Sequence, residues 1–151
     1  MSTALITGAS RGLGRALAAG LGRAGFDLVI DARDGAALDA AAGALRASGA
    51  TVTAVPGDVT DPAHRAALVA ACAGRLDLLV NNAGTLGASP LPALADYPAD
   101  ELRAAFEANV IAPIALTQLA LPLLRPIRPT ARPSTASSVL PACWLRASMS
   151  L

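Results

Sequence analysis

Short apolar runs alternate with longer segments of helical periodicity along most of this sequence, and no other feature restricts its possible folds as much. The apolar runs, each typical of a buried strand, occupy residues 3–7, 27–32, 51–55 and 76–81. Segments with helical spacing follow them at residues 12–24, 36–47, 62–73 and 99–124. Parallel strands cannot be joined by tight turns, and their crossovers are right-handed. The sequence therefore predicts an α/β fold with a doubly wound parallel sheet.

The alternation stops after Leu124. Prolines at positions 126, 129, 133 and 141 make residues 125–151 unsuited to a helix or a central strand. We therefore predict one domain over residues 1–124, with a sheet that is incomplete at its C-terminal side. We expect residues 125–151 to be a Pro-rich tail that is disordered or loosely packed. The simplest explanation of that tail is a truncated or frame-shifted product whose authentic sequence runs to about Leu124 or Arg125.

The composition excludes several classes of partner. The net charge is +1, which gives no electrostatic reason to expect nucleic acid or an anionic membrane. No apolar stretch approaches the roughly 20 residues of a bilayer span. The start of the chain also lacks the basic segment of a signal peptide. We therefore expect a cytoplasmic protein whose partners are small molecules or proteins, including other copies of itself.

The residue types that most often bind metals are sparse and poorly spaced. Cys72 and Cys143 lie far apart, in neither a metal-ligand nor a redox spacing, and we expect both to be packing residues. His64 follows Asp61 and Pro62, which are typical of a helix N-cap and a first helical position. We therefore expect His64 to lie on the surface of a first helical turn, and we expect no metal to be bound.

A glycine-rich turn lies between the first predicted strand and the first predicted helix. It reads Thr7-Gly8-Ala9-Ser10-Arg11-Gly12-Leu13-Gly14. Because its glycines carry no side chains, the backbone can turn sharply, and its N–H groups and the positive end of the helix dipole can meet a phosphate group. A tight turn without a ligand is the alternative, since short glycine motifs also occur by chance.

Three further motifs follow in order. Asp58-Val59 comes at the end of the third predicted strand, Asn81-Asn82-Ala83-Gly84 ends the fourth, and Asn109 lies within the long predicted helix. With the Thr-Gly-x-x-x-Gly-x-Gly spacing of the turn, they make the chain resemble the N-terminal half of the short-chain dehydrogenase/reductase family. The resemblance runs from Ala4 to about Leu124. It implies a Rossmann-like fold and hydride transfer between a nicotinamide cofactor and an alcohol or carbonyl substrate.

The resemblance also implies roles for individual residues. The implied cofactor contacts are Gly8, Ser10, Arg11, Gly12, Leu13 and Gly14 in the turn, Asp58 and Val59 at the adenine ring, and Asn81, Ala83 and Gly84 in the segment that borders the cofactor. Asn109 is implied to bend the long helix and to help organise a proton relay. The helical spacing of Leu102, Phe106 and Asn109 predicts that these residues share an apolar, inward face. A buried, hydrogen-bonded amide without a catalytic part is the alternative for Asn109.

Two arginines favour NADP over NAD. Members of this fold that prefer NAD usually carry a carboxylate at the end of the second strand, where it binds both ribose hydroxyls. That position is Ala32 here, and strand alternation turns the side chain of Asp31 to the opposite face. Arg33 and Arg11 can instead hold a 2′-phosphate by charge-assisted hydrogen bonds. We therefore predict NADP as the cofactor, with a solvated surface charge as the alternative for either arginine.

The residues that carry the family's chemistry do not occur in their expected places. The family uses a Tyr to protonate the substrate oxygen, a Lys four residues later to lower the pKa of that Tyr, and a Ser to orient the carbonyl. The Lys is needed because an unperturbed phenol has a pKa of about 10. This sequence contains no Lys, and its one Tyr, Tyr97, precedes Pro98 far from the family position. Ser138 has about the right separation from Asn109, but its Pro-rich surroundings do not fit.

These observations predict the NADP-binding portion of a short-chain oxidoreductase that is inactive as written. A non-catalytic module that binds a dinucleotide or a partner protein is the alternative. An active enzyme that uses other groups is a third possibility.

Overall fold

A computed structural model describes residues 2–124, and in it strands and helices alternate along the chain. The strands are β1 (Ser2–Ile6), β2 (Phe26–Ala32), β3 (Val52–Pro56) and β4 (Leu78–Val80). The α-helices are α1 (Gly12–Arg23), α2 (Gly35–Ala47), α3 (Pro62–Ala71), α4 (Ala99–Phe106) and α5 (Ala112–Ala120). A π-helical turn (Glu107–Ile111) joins α4 to α5, and a 3₁₀ turn (Leu94–Asp96) precedes α4.

The four strands form one parallel sheet in the order β3-β2-β1-β4. The chain moves outward from β1 to β3 and then crosses to β4 on the other side of β1. The strand order therefore reverses between β1 and β4, and ligands of such sheets bind at the carboxyl ends of the strands flanking that reversal. This arrangement confirms the predicted doubly wound, Rossmann-like fold.

Helices cover both faces of the sheet and form two apolar layers. On one face, Ile6 and Ile30 pack with Leu38 and Leu45 of α2 and with Ala18 of α1. On the other face, the buried members are Leu5, Val29, Leu68, Cys72, Leu76, Leu116 and Ala120. The nearly continuous apolar character of β1 and β2 is explained by this arrangement, because both faces of these strands are buried. Cys72 lies in the second layer, as expected for a packing residue, whereas Cys143 lies outside the described residues.

The long predicted helix is interrupted where the sequence carries a proline. Pro113 has no N–H to donate to the carbonyl of Asn109, so a regular α-helical bond is lost at this point. The chain accommodates the loss with the π-helical turn, a feature common at functional sites. The α-helical part ends at Ala120 rather than at Leu124.

The prediction of an inward face on this helix is wrong. Leu102 is 48% exposed and Phe106 is 57% exposed, and Asn109 also lies at the surface. The reason is that residues 2–124 cover this side of α4 only in part. An apolar stripe shows which residues share a face, but not whether a second layer lies against it.

Near the end of the described chain, Leu124 lies beside the start of β4. The Leu76 N–H donates to the Leu123 carbonyl at 3.1 Å, and Leu76 pairs with Leu124 in a parallel bridge. Ser138 and the predicted tail fall outside the described residues. Among the described helices, none is both long enough and apolar enough to cross a membrane.

Candidate functional site

Two loops meet at the point where the strand order reverses, one after β1 and one after β4. The Thr7 hydroxyl oxygen accepts the N–H groups of Asn82 at 2.9 Å and Ala83 at 3.0 Å. In return, the Asn82 side-chain amide donates to the carbonyl oxygens of Thr7 at 2.9 Å and Gly8 at 3.1 Å. These four hydrogen bonds join the glycine-rich turn to the Asn-Asn-Ala-Gly segment and fix the position of both.

The close approach of these loops explains two of the glycines. Gly8 has a φ of +67°, and a Cβ there would lie 2.9 Å from the Ala83 Cα. A Cβ at Gly14 would lie 2.5 Å from the Asn82 side-chain nitrogen. Any larger residue at either position would push the two loops apart.

The turn leaves backbone donors at the start of α1. Among the described residues, the N–H groups of Gly12, Leu13 and Gly14 make no hydrogen bond to another protein group. Arg11 caps the helix in an extended conformation, with an exposed side chain, and Ser10 precedes it half-buried. Free N–H groups at a helix N-terminus form an anion site, because the helix dipole adds positive potential there.

Asp31, near the end of β2, is in direct contact with this turn. Its side chain faces away from Ala32, as strand alternation predicts, and the residue is only 1% exposed. One carboxylate oxygen accepts the Gly8 N–H at 2.7 Å, and the backbone carbonyl of Asp31 accepts the Ala9 N–H at 2.8 Å. Burial raises the pKa of Asp31, while hydrogen bonds from His64 and Gly8 oppose that rise.

The expectation of a surface histidine at position 64 is wrong. His64 is 7% exposed, and its Nε2 lies 3.0 Å from the second carboxylate oxygen of Asp31. The predicted cap and first helical position are correct, since Asp61 accepts the Ala63 N–H at 2.9 Å and Pro62 begins α3. The first turn of α3 points inward at position 64 because a buried acceptor there, Asp31, satisfies the ring.

The loop after β3 lies next to the end of β2, where the Gly57 N–H donates to the Ala32 carbonyl at 3.0 Å. Its Asp58 accepts both the backbone N–H and the hydroxyl of Thr60 at 2.9 Å, and the Thr60 N–H is the main reason that the pKa of Asp58 is lowered. The Val59 carbonyl accepts a hydrogen bond from Arg65 at 2.7 Å. Arg33 is exposed, and its charge contributes to the lowered pKa of Asp58. Arg33 and Arg11 form no ion pair with a carboxylate of residues 2–124.

On the β4 side, two asparagines hold the loops. Asn81 donates to the Thr117 hydroxyl of α5 at 3.1 Å. Asn109, within the π-helical turn, accepts the Thr85 N–H at 2.9 Å and donates to the Thr85 carbonyl at 2.7 Å. A Cβ at Gly84 would lie 3.0 Å from the Asn109 side-chain oxygen. Asn109 therefore fixes the loop that leaves β4, and both its polar groups are occupied.

A cavity of about 460 Å³ lies beside Asn109, between this loop and α4. Its lining is mostly apolar and comprises Thr85, Leu86, Leu94, Tyr97, Ala99, Leu102, Ala105 and Asn109. The Tyr97 hydroxyl donates to the Leu86 carbonyl at 3.2 Å. Tyr97 is therefore part of the cavity wall and stabilises the position of the loop.

Sequence reasoning named most of the turn but missed four residues that shape it. Thr7, Asn82, Asp31 and His64 were not assigned to the site. Thr7 and Asn82 carried a usable signal, because each is a polar residue directly after an apolar strand that ends at the ligand-binding edge. Asp31 and His64 carried a weaker signal. It was the carboxylate of Asp31 within a buried strand, because a buried carboxylate needs a hydrogen-bond partner. No three His, Cys, Asp or Glu side chains of residues 2–124 are grouped so as to hold a metal ion.

Comparisons with known proteins agree with this geometry. The family model described as "short chain dehydrogenase" matches residues 2–132. The 1-deoxy-11-beta-hydroxypentalenate dehydrogenase of Streptomyces avermitilis is 41% identical over 140 residues, which are 90% of this chain and 52% of that protein.

Two solved structures are similarly close. The L-sorbose reductase of Gluconobacter frateurii, complexed with NADPH and L-sorbose, superposes with a TM-score of 0.74 at 33% identity, over 80% of this chain and 46% of that one. A metagenomic short-chain oxidoreductase in complex with NADP gives a TM-score of 0.74 at 35% identity, over 81% of this chain and 56% of that one.

The chain thus spans about half the length of the proteins it matches. The family match covers most of the sequence, and the glycine-rich turn and the Asn-Asn-Ala-Gly segment are joined at the strand-order reversal. This chain belongs to the short-chain dehydrogenase/reductase family.

Proposed function

We propose that this chain binds NADP(H) at the glycine-rich turn and is the cofactor-binding portion of an oxidoreductase acting on an alcohol or carbonyl substrate. The observation that carries the proposal is the pair of joined loops. Glycines at positions 8 and 14 allow the loops to approach, and free N–H groups remain at the start of α1. The domain that does this is residues 1–124, with residues 125–151 as a separate tail.

The residues present fit a dinucleotide phosphate. The N–H groups of Gly12, Leu13 and Gly14 would hold the pyrophosphate, because they are the free donors at a helix N-terminus. The remaining contacts would come from Gly8 and Ser10 in the turn, Arg11 and Arg33 at the 2′-phosphate, Asp58 and Val59 at the adenine, and Asn81, Ala83 and Gly84 beside the nicotinamide half. When bound, NADP(H) supplies or accepts a hydride at its nicotinamide ring.

Relatives support the choice of cofactor. The L-sorbose reductase and the metagenomic oxidoreductase were both solved with NADPH or NADP. In this chain, the position after Ala32 is an exposed Arg33 without a carboxylate partner among residues 2–124. An exposed guanidinium at this edge suits a phosphate better than a ribose hydroxyl.

Replacing Arg33 by Ala should weaken NADPH binding about tenfold or more and leave NADH binding almost unchanged. The substitution removes a charge-assisted hydrogen bond worth roughly 1.5 to 3 kcal/mol, and only NADPH carries the 2′-phosphate that receives it. Fluorescence titration of both cofactors measures the two dissociation constants.

Arg23→Ala is a suitable control, because Arg23 is also exposed but lies at the far end of α1. It should change neither constant. Equal losses of NADPH and NADH affinity on replacing Arg33 would contradict the assignment of this residue to the 2′-phosphate.

The second candidate function is a binding module without redox chemistry. It is favoured by one observation, the absence of any Lys and of a Tyr at the family position in these 151 residues. Saturable NADPH binding by a folded chain that oxidises no alcohol and reduces no carbonyl compound is its expected signature. Turnover by highly purified protein would rule it out.

We also expect the 151-residue chain to self-associate. Phe106 and Leu94 are 57% and 92% exposed, and among residues 2–124 the strand β4 pairs only with β1. Exposed apolar side chains and an unpaired strand edge each favour contact with another copy. Light scattering coupled to size exclusion should give a mass that rises with concentration. A monomer at every concentration, with a sharp and reversible melt, would show this expectation to be wrong.

A further inference from the structure

We infer that Asp31 is a positioning residue for cofactor binding: its buried carboxylate, held by His64, fixes the backbone of the glycine-rich turn in the conformation that receives the dinucleotide. The inference rests on the proposed function and deepens it, because it assigns the conformation of the turn to a side chain on β2 that does not touch the ligand.

The geometry joins three elements at one carboxylate. Asp31 accepts the Gly8 N–H at 2.7 Å through one oxygen and lies 3.0 Å from His64 Nε2 through the other. Its own carbonyl accepts the Ala9 N–H at 2.8 Å. Asp31 therefore accepts the N–H groups of both residues that follow Thr7, namely Gly8 and Ala9. The Asn82 side chain holds the Gly8 carbonyl from the opposite side.

Packing alone does not explain a carboxylate at this position. Val29, which precedes Asp31 on the same face of β2, is buried in the apolar layer formed with α3 and α5. A buried carboxylate is costly unless it is fully hydrogen-bonded, and an apolar side chain of similar size would avoid that cost. What an apolar residue could not do is accept the Gly8 N–H. The carboxylate therefore selects one conformation of the turn.

The loop after β3 is shaped to admit the histidine. A Cβ at Gly57 would lie 2.6 Å from His64 Cε1, so only glycine leaves room for the ring at this position. Gly57 directly precedes Asp58 and Val59, the residues proposed at the adenine. The Asp31–His64 pair therefore links the phosphate end of the site to its adenine end through buried side chains.

Two titratable groups act on Asp31. His64 on α3 lowers the pKa of Asp31 through its hydrogen bond and its charge, and Asp58 in the loop after β3 raises it by repulsion. Burial is the largest influence and raises the pKa of Asp31. The carboxylate should thus take up a proton at a higher pH than an ordinary aspartate does, and the Gly8 N–H then loses a charged acceptor.

The test compares Asp31→Ala, Asp31→Asn and the control Asp27→Ala in the full chain. Asp27 lies on the same strand and on the same face as Asp31, at the opposite end from the turn. NADPH and NADH affinities are measured by fluorescence titration, and folding is followed by thermal melting. The Gly8 amide resonance is followed by NMR as the pH is lowered from neutrality.

Asp31→Ala should weaken NADPH and NADH binding alike, by about tenfold or more, because it disorders a turn that both cofactors use. This equal loss distinguishes it from Arg33→Ala. Asp31→Asn can still offer an oxygen to Gly8 and an N–H to His64, so it should restore most of the affinity. Asp27→Ala should change nothing. The Gly8 amide proton should shift with the protonation of Asp31 in the wild type and show no such titration in Asp31→Asn.

The inference is overturned if folded Asp31→Ala binds both cofactors as the wild type does, or if the Gly8 amide does not report a titration that Asp31→Asn removes. Should Asp31→Ala fail to fold, Asp31→Asn and the Gly8 resonance decide the question. A wild-type chain that binds neither cofactor would refute the proposed function instead. The titration of the Gly8 amide would then still show whether Asp31 holds the turn.

Discussion

Gly14→Ala should lower the free energy of unfolding by about 1 to 3 kcal/mol and weaken NADPH binding by about a hundredfold. The new methyl group would lie 2.5 Å from the Asn82 side-chain nitrogen. The neighbouring backbone and the two hydrogen bonds that this amide donates leave little room for it to move away. Asn82 would have to release the carbonyls of Thr7 and Gly8, and two lost hydrogen bonds of about 1 to 1.5 kcal/mol each account for the predicted loss of stability. The affinity falls because the displaced turn no longer holds its N–H groups where the dinucleotide phosphates would bind. Urea unfolding and fluorescence titration give the two quantities.

Gly20→Ala is the matched control for this prediction. Gly20 lies in the same helix, and nothing lies within 4 Å of a Cβ placed there. Alanine in a helix interior is more stable than glycine by about 0.5 to 1 kcal/mol, so this variant should unfold at a higher urea concentration and bind NADPH as before. If both glycine variants gained stability, the close approach at Gly14 would not be a constraint on the turn.

The sequence was sufficient to predict the sheet and the position of the turn, because both depend on local patterns. Apolar runs such as Leu28–Ile30 and helical stripes are spaced by the geometry of their own elements. The glycines at 8 and 14 mark places where the backbone alone decides what can fit. The parallel direction of the strands then followed from the length of the connections.

The partners of individual side chains could not be predicted in the same way. Strand alternation gave the correct face for Asp31 but could not identify His64, which is 33 positions away and on a different element. The expectation that His64 lies at the surface rested on its place in the first helical turn, just after the predicted cap Asp61. A cap fixes where a helix begins and does not determine which face of that helix meets the sheet.

The long helix shows a second limit of sequence reasoning. The spacing of Leu102 and Phe106 correctly indicates a shared face, yet both side chains are about half exposed. Burial depends on what another part of the structure supplies, which helical periodicity does not record. The π-helical turn, by contrast, could have been predicted, because Pro113 follows Asn109 by four positions and must break one helical hydrogen bond.

The 151-residue chain should not reduce ketones or aldehydes above the rate of a buffer blank. Hydride transfer to a carbonyl leaves an alkoxide-like oxygen that must be protonated as it forms, and general acid catalysis is typically worth about 10² to 10⁴ in rate. The sequence contains no Lys, and the hydroxyl of its one tyrosine, Tyr97, donates a hydrogen bond to the Leu86 carbonyl. Asn109 cannot replace that acid, because an amide has no proton to give at neutral pH and its polar groups are bound to Thr85.

NADPH oxidation measured with a panel of carbonyl compounds tests this expectation, and a rate proportional to the amount of purified protein would refute it. The coding DNA after Leu124 provides a complementary test, in which activity should be gained. If another reading frame there encodes an apolar strand ending in Ser, followed by a Tyr with a Lys four residues later, a protein carrying that segment in place of residues 125–151 should gain NADPH-dependent activity. The Lys would lower the pKa of the new Tyr toward neutrality, which is the condition an effective general acid requires. An uninterrupted frame without such a motif would instead favour the binding module, for which Arg33→Ala and Asp31→Ala should still change cofactor affinity although no turnover can be measured.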